Sequence, residues 1–544
     1  MKQRITYIVH NSDIFSPEQL EVGTDKRGPV FALKGIEAAK EHRITLGLDE
    51  LPKSLKFFFS QWHEMHLRWQ SPRSYIATPP FTSRVAPGLH AFFTPLDDTA
   101  DDAFCLALHE LVSPGLKCST TSQSATKVPV LSERFAMSAS LQFYGHVWNI
   151  EDAKESFQRM FCGGKEKGYC VDAVGEIVTA KYVDVDYDTI SRAVVVTAGW
   201  PNAGESGKGW TDEIRLPSKD TTVEIGVLNL EGNTDPEDIQ FGGFLTVLGD
   251  DEKPKPTRFQ TPTRHYPHVA PSKNPNVKPS PHPLTYTTSF NQPTGLHPTL
   301  TLTFPAQNLT APAPSCKLHT YLTLPSYLFI DQYQFTDPLF LSSKHLKRLR
   351  SLAGATDLEA PDWAVTPWGS SALFELAVPK PEKIEYPEVD VGPDENVWEG
   401  LPTHKEIPAG DWNVSIPLHT RYLPAAPQKH VALPVPWPVV FWACRAESGA
   451  QHPSNPFDRV HLGYEGLFGP KTRFMTVQPK VEGGKALVEW IDVPVLDTRQ
   501  AGWVRAGTMG VVFAAFLGLC WVLFGGGARK ASTGKKEGEG KKKQ

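Results

Sequence analysis

Residues 506–524, AGTMGVVFAAFLGLCWVLF, limit what this chain can be more than any other stretch, because no charge interrupts them. At about 1.5 Å per residue a helix of that length spans roughly 28 Å, close to the ~30 Å hydrocarbon core of a bilayer. Trp503 and Trp521 stand near its ends, where indoles favour the headgroup level. A transmembrane helix over residues 506–527 is therefore expected. A buried core helix is seldom apolar on every face and followed by a basic tail.

That tail, 528–544, sets an orientation. It holds Arg529, Lys530, Lys535, Lys536, Lys541, Lys542 and Lys543 against Glu537 and Glu539, whereas the nearest basic residue before the span is Arg505. Positive flanks favour the cytosolic side, so the long N-terminal part is expected in a lumen. Lys541 and Lys542 match a dilysine retrieval address of endoplasmic reticulum membrane proteins; a basic stop-transfer tail is the alternative. The start, MKQRITYIVHNSDIF, lacks an apolar h-region, so no cleavable signal peptide is expected.

The 48 prolines and 42 glycines among 544 residues break the chain often and favour short strands over long helices. Net charge is −5, with positive charge gathered in the tail; an acidic ectodomain does not suit nucleic acid. Cys520 lies in the span, leaving Cys105, Cys118, Cys162, Cys170, Cys316 and Cys444, with no CxxC among them. An oxidising lumen allows disulfides, and six cysteines allow fifteen pairings. Cys316 with Cys444 and Cys162 with Cys170 are the pairs to test; buried free thiols are the alternative for the four N-terminal cysteines.

Residues 1–250 read as one β-rich domain with some α. Strands are expected near 5–9, 44–48, 194–197, 222–230 and 241–248 from alternation and β-branched content. Leu51, Leu55, Phe58, Phe59, Trp62 and Met65 recur at helical spacing, which predicts a helix carrying His63, Glu64, His66 and Arg68. His63-Glu64-Met65-His66 lacks the HExxH spacing of zinc proteases, so no metal is expected there, nor any cofactor elsewhere. Gly204-Glu205-Ser206-Gly207-Lys208 misses both the phosphate-loop and the nucleophile-elbow patterns and reads as a hairpin loop. Asp184-Val185-Asp186 is a DxD whose carboxylates share one strand face. A metal-assisted glycosyltransferase reading rests on it; an acidic loop is the plainer one.

Residues 251–295, rich in proline and including His265, His268 and His282, read as a linker. Residues 296–475 show short strands bounded by proline, which argues for a β-sandwich, followed by a juxtamembrane segment at 476–505. Asn308 and Asn413 begin sequons, which suit a luminal domain.

The order of LPSYLFIDQYQ from Leu324, IPLHTRY from Ile416, PVPWPVVFW from Pro434 and a single C-terminal span resembles the PIG-X family. The LDELP segment with its Trp-His-Glu continuation, Asn455-Pro456-Phe457-Asp458, and Leu462 to Pro470 look like its long fungal form. His419, Arg421 and Tyr422 are the best-defined match. The resemblance implies a luminal reticulum protein with one span and no catalytic residues of its own. It implies the stabilising subunit of glycosylphosphatidylinositol (GPI) mannosyltransferase I, partnered with a multi-spanning catalytic subunit. That enzyme moves the first mannose from dolichol-phosphate mannose to glucosaminyl-phosphatidylinositol. The long form also implies a role in folding other reticulum proteins, and a general membrane-anchored chaperone is the alternative function. The expected fold is mainly β with some α: a β-rich ectodomain of two units, the second sandwich-like, and one transmembrane helix.

Overall fold

Period-two alternation builds the N-terminal half around one eleven-stranded sheet. Its order is Thr257–Pro262, Gln240–Leu248, Thr222–Glu231, Lys2–Val9, Ala38–Gly47, Ala193–Trp200, Tyr182–Asp188, Trp62–Gln70, Gly88–Pro95, Leu141–Gly145 and Thr126–Lys127. Lys2–Val9 runs parallel to Thr222–Glu231 and antiparallel to Ala38–Gly47. The computed structural model describes residues 1–10, 16–26, 28–78, 81, 84–97, 101–131, 139–162, 167–203, 209–216, 221–231, 240–249, 254–263, 265–267, 284–306, 309–379, 410–445 and 461–524. The 204–208 near-motif, Asn308, His268, His282, residues 455–458, the 525–527 end of the expected span, Lys541 and Lys542 lie outside them.

Helices Lys53–Phe59, Ala103–Leu111, Lys154–Phe161 and Lys167–Ile177 contribute Leu55, Phe59, Phe104, Leu108, Phe157 and Ile177 to a core with Met65, Trp69, Val183 and Val194 of the sheet. A cavity of about 300 Å³ remains in this layer, lined by Leu55, Phe58, Phe104, Phe157, Val185 and their neighbours. Disulfides Cys105–Cys118 and Cys162–Cys170 lie in this helical region.

The helix expected through Met65 ends at Phe59, and Trp62–Gln70 is a strand. From Met65 the segment alternates: Met65 and Trp69 enter the helical core, while Glu64, His66 and Arg68 face away from it. A register shift between Trp62 and Glu64 puts Trp62 out of phase, and that bulge produced the helical spacing of the apolar residues.

The segment read as a linker also folds in part. Thr257–Pro262 is the edge strand of the large sheet, and His265–Pro267 pairs parallel with Thr472–Thr476. Their prolines stand at strand ends on sheet edges, where no ladder N–H is required.

In the C-terminal half, a six-stranded sheet runs His265–Pro267, Thr472–Thr476, Val439–Arg445, Lys317–Pro325, Gly369–Leu376 and Leu346–Gly354. A four-stranded one runs Asp411–Pro417, Thr299–Pro305, Thr285–Phe290 and Gln478–Pro479. Leu300, Leu302, Phe304, Val414 and Ile416 of the second meet Leu318, Leu322, Val440 and Trp442 of the first in one apolar core. Cys316 is bonded to Cys444 beside it. The other face of the six-stranded sheet is covered too: Tyr321, Leu373, Phe441 and Phe474 pack with Leu462, Tyr464, Leu467 and Val85. Burial on both faces explains why Gly369–Leu376 has no exposed position.

The two halves interlock. Trp368 donates through Nε1 to the Gln142 carbonyl at 3.1 Å, and Leu487 donates its N–H to the Pro72 carbonyl at 2.6 Å. The remaining unit, described by itself, comprises Pro424–Val431 and Pro494–Gln544. In it Ala426 bridges Asp497, and the Asp497 side chain caps the turn that opens onto helix Ala501–Phe524. This is the one helix among the described residues long and apolar enough to cross a membrane.

Candidate functional site

Two polar clusters concentrate the chemistry-bearing side chains. The first lies on the face of the large sheet opposite the helical core. Strands Trp62–Gln70 and Tyr182–Asp188 set His66 opposite Asp186 and Arg68 opposite Asp184. Arg68 Nε donates to Asp184 Oδ1 at 2.8 Å, both side chains being buried. His66 Nδ1 lies 2.8 Å from Asp186 Oδ1, and its Nε2 lies 3.4 Å from Glu64 Oε2. Burial alone would lower the His66 pKa; hydrogen bonds to Asp186 and Glu64 outweigh it and raise it to about 9. The DxD carboxylates thus share one strand face, but each is engaged by a basic side chain of the neighbouring strand.

His461 completes this cluster from the C-terminal half of the chain. Its ring stacks on His66 with centroids 3.5 Å apart and planes 17° from parallel. Behind it, the Leu462 N–H is held by both Glu465 carboxylate oxygens at 2.9 and 2.8 Å. No sequence spacing links residue 461 to residues 64–68; only the packing of the halves brings them together.

The second cluster surrounds the IPLHTRY segment. Arg421 is buried, 2% exposed. It donates to the carbonyls of Ala360 and Ala355 at 2.7 and 3.1 Å, and its guanidinium sits 4.5 Å over the Phe329 ring. His419 stacks on the same ring, and its Nδ1 faces His297 Nδ1 at 3.0 Å. Burial, then the charge of His297, holds the His419 pKa below its ordinary value. Tyr422 points outward, 69% exposed, while its carbonyl accepts from the Asp362 N–H at 3.0 Å. The adjoining Trp363 is 61% exposed. Arg421 therefore braces the 355–360 segment, while Tyr422 and Trp363 offer aromatic surface. Asn413 is exposed on Asp411–Pro417, its Oδ1 accepting from Thr303 Oγ1 at 2.7 Å.

Comparison with known proteins bears on most of the chain. The family model described as PIG-X / PBN1 matches residues 293–524. Protein pbn1 of Emericella nidulans is 40% identical over 96% of this chain and 95% of its own length. Protein pbn1 of Aspergillus oryzae is 39% identical over 98% of this chain and 97% of its own. Protein PBN1 of Saccharomyces cerevisiae is 27% identical over 58% of this chain and 61% of its own. The Emericella and Aspergillus relatives span nearly the whole chain, and the chain belongs to the PIG-X / PBN1 family.

Proposed function

We propose that this protein is the non-catalytic subunit that stabilises the multi-spanning catalytic subunit of GPI mannosyltransferase I in the endoplasmic reticulum membrane. The observation that carries this reading is relationship to PBN1 proteins over nearly the whole chain. The chain crosses the membrane once by Ala501–Phe524, with its N-terminus in the lumen and the tail bearing Lys541 and Lys542 in the cytosol. The charge flanks support that orientation. Asn413, exposed on a strand, and Asn308 are its glycan acceptors, and the disulfides suit an oxidising lumen.

The physical basis is mass action. A partner that binds only the folded form of a polytopic enzyme raises the population of that form. Tyr422 and Trp363 supply exposed aromatic area of the kind that anchors such contacts. Engagement of Asp184 by Arg68 and of Asp186 by His66 supports a structural over a metal-phosphate role for the DxD.

The test is affinity capture from membranes in mild detergent, followed by assay of mannose transfer from dolichol-phosphate mannose to glucosaminyl-phosphatidylinositol. A co-purifying multi-spanning protein with activity, retained in an Asp184→Asn/Asp186→Asn variant, is the expected result. Capture of many unrelated membrane proteins without transfer activity would replace this reading with that of a general chaperone.

A further inference from the structure

The cluster at the seam between the halves gathers ligating side chains from two distant stretches of the chain. Glu64, His66 and His461 each offer one ligand atom, and these atoms lie within 4.8 Å of one another. We propose that Glu64, His66 and His461 form a binding site for one divalent transition ion of the zinc type, with Asp186 holding His66 in place.

Four observations converge. First, the donor set, two imidazoles and a carboxylate, is one that zinc-type ions favour. Second, His66 Nε2 and Glu64 Oε2 stand 3.4 Å apart. That is long for a hydrogen bond, and it is the edge of a tetrahedron, about 3.4 Å, when ligands sit about 2.1 Å from an ion. Third, the Asp186 carboxylate takes His66 Nδ1 at 2.8 Å. This fixes the tautomer and leaves Nε2 free to ligate, as an outer carboxylate does behind a metal-bound histidine.

Fourth, His461 is buried, 7% exposed, and its Nδ1 has no hydrogen-bond partner among the described residues. Leaving a buried ring nitrogen unpartnered is costly. A proton on His66 answers Asp186 and Glu64 but does nothing for His461. An ion shared by both rings answers all three, after the stacked planes splay enough to aim their lone pairs at one point.

The ligands come from a strand of the large sheet and from the segment that covers the six-stranded sheet. The ion would therefore clamp the two halves together, and its loss would be read as lost stability.

The experiment uses the full chain, purified in detergent without a polyhistidine tag. Metal content is measured by mass spectrometry, and Zn²⁺ is titrated against a chromophoric chelator with thermal unfolding followed in parallel. One ion per chain is expected, with a Tm raised by Zn²⁺ and lowered by chelation. Binding should weaken at least tenfold in His461→Ala and in Glu64→Gln, and stay unchanged in His63→Ala, whose side chain is exposed on the same strand. Less than a tenth of an ion per chain together with a Tm indifferent to Zn²⁺ and chelator would overturn the proposal, whether or not the variants fold. So would full binding in both His461→Ala and Glu64→Gln.

Discussion

Replacing Arg421 with alanine strands the carbonyls of Ala355 and Ala360 and bares one face of Phe329. The expected loss is about 3 kcal/mol, read from the urea midpoint. Arg421→Lys recovers little of it, because an ammonium cannot fork to two carbonyls while stacking on the ring. Tyr422→Ala should leave stability within about 0.5 kcal/mol yet reduce capture of the membrane partner; the opposite pattern would make Tyr422 structural. Histidines make a second prediction. Burial first, in each case, lowers the pKa of His42 and His146 to about 4 and of His319 to about 3. The unfolded chain takes up these protons near pH 6.5 and the fold does not. Stability from these groups is therefore full above pH 6.5 and declines as pH falls toward 4. Tm measured from pH 7.5 to 4.5 should drop, and His146→Phe should make the decline shallower. At this scale the sequence marked His419, Arg421 and Tyr422 as a motif but could not divide brace from surface. That division depends on which side chain the 355–360 segment covers.

Gly369 joins the sandwich to its edge strand in a conformation with φ of +152°. A Cβ there would stand 2.0 Å from the Leu324 carbonyl oxygen. Gly369→Ala should cost more than about 3 kcal/mol, whereas Gly410→Ala, with nothing within 4 Å, should cost less despite a similar φ. Comparative unfolding of the two variants separates packing from backbone strain. The helix Ala501–Phe524 carries Gly507, Gly510, Ala514, Ala515 and Gly518, small residues that permit close helix approach. Exchanging residues 506–524 for an unrelated apolar helix should lower partner capture several-fold; undiminished capture would leave the contact to the residues before the helix. Elements long enough to show a period were legible in sequence: the span, and strands such as Thr222–Glu231 and Gln240–Leu248. The strand Trp62–Gln70 was not. One bulge near its start gives apolar residues a helical spacing, and only pairing with Gly88–Pro95 decides the matter. Strands Thr257–Pro262 and His265–Pro267 hid in a proline-rich stretch because edge strands tolerate proline.

The eleven-stranded sheet and the sandwich share buried surface on the side of Val85, Tyr321 and Tyr464, and trade hydrogen bonds through Trp368 and Gln142. Co-expressed as two pieces, residues 1–267 and 284–544, the halves should co-purify; independent elution would mean the seam contributes little. The seam was illegible in sequence, since its partners are hundreds of positions apart and no local period encodes their meeting. That separation bears on how the chain is made. The strand Lys2–Val9 pairs with Thr222–Glu231, and His265–Pro267 pairs with Thr472–Thr476. At a ribosomal pace of about 5–20 residues per second, each early strand waits on the order of tens of seconds for its mate. Throughout that interval the nascent polypeptide presents unpaired strand edges and open apolar faces, the surfaces most prone to aggregation. A protein proposed to guard another's fold is, during its own synthesis, a client for whatever guards nascent chains.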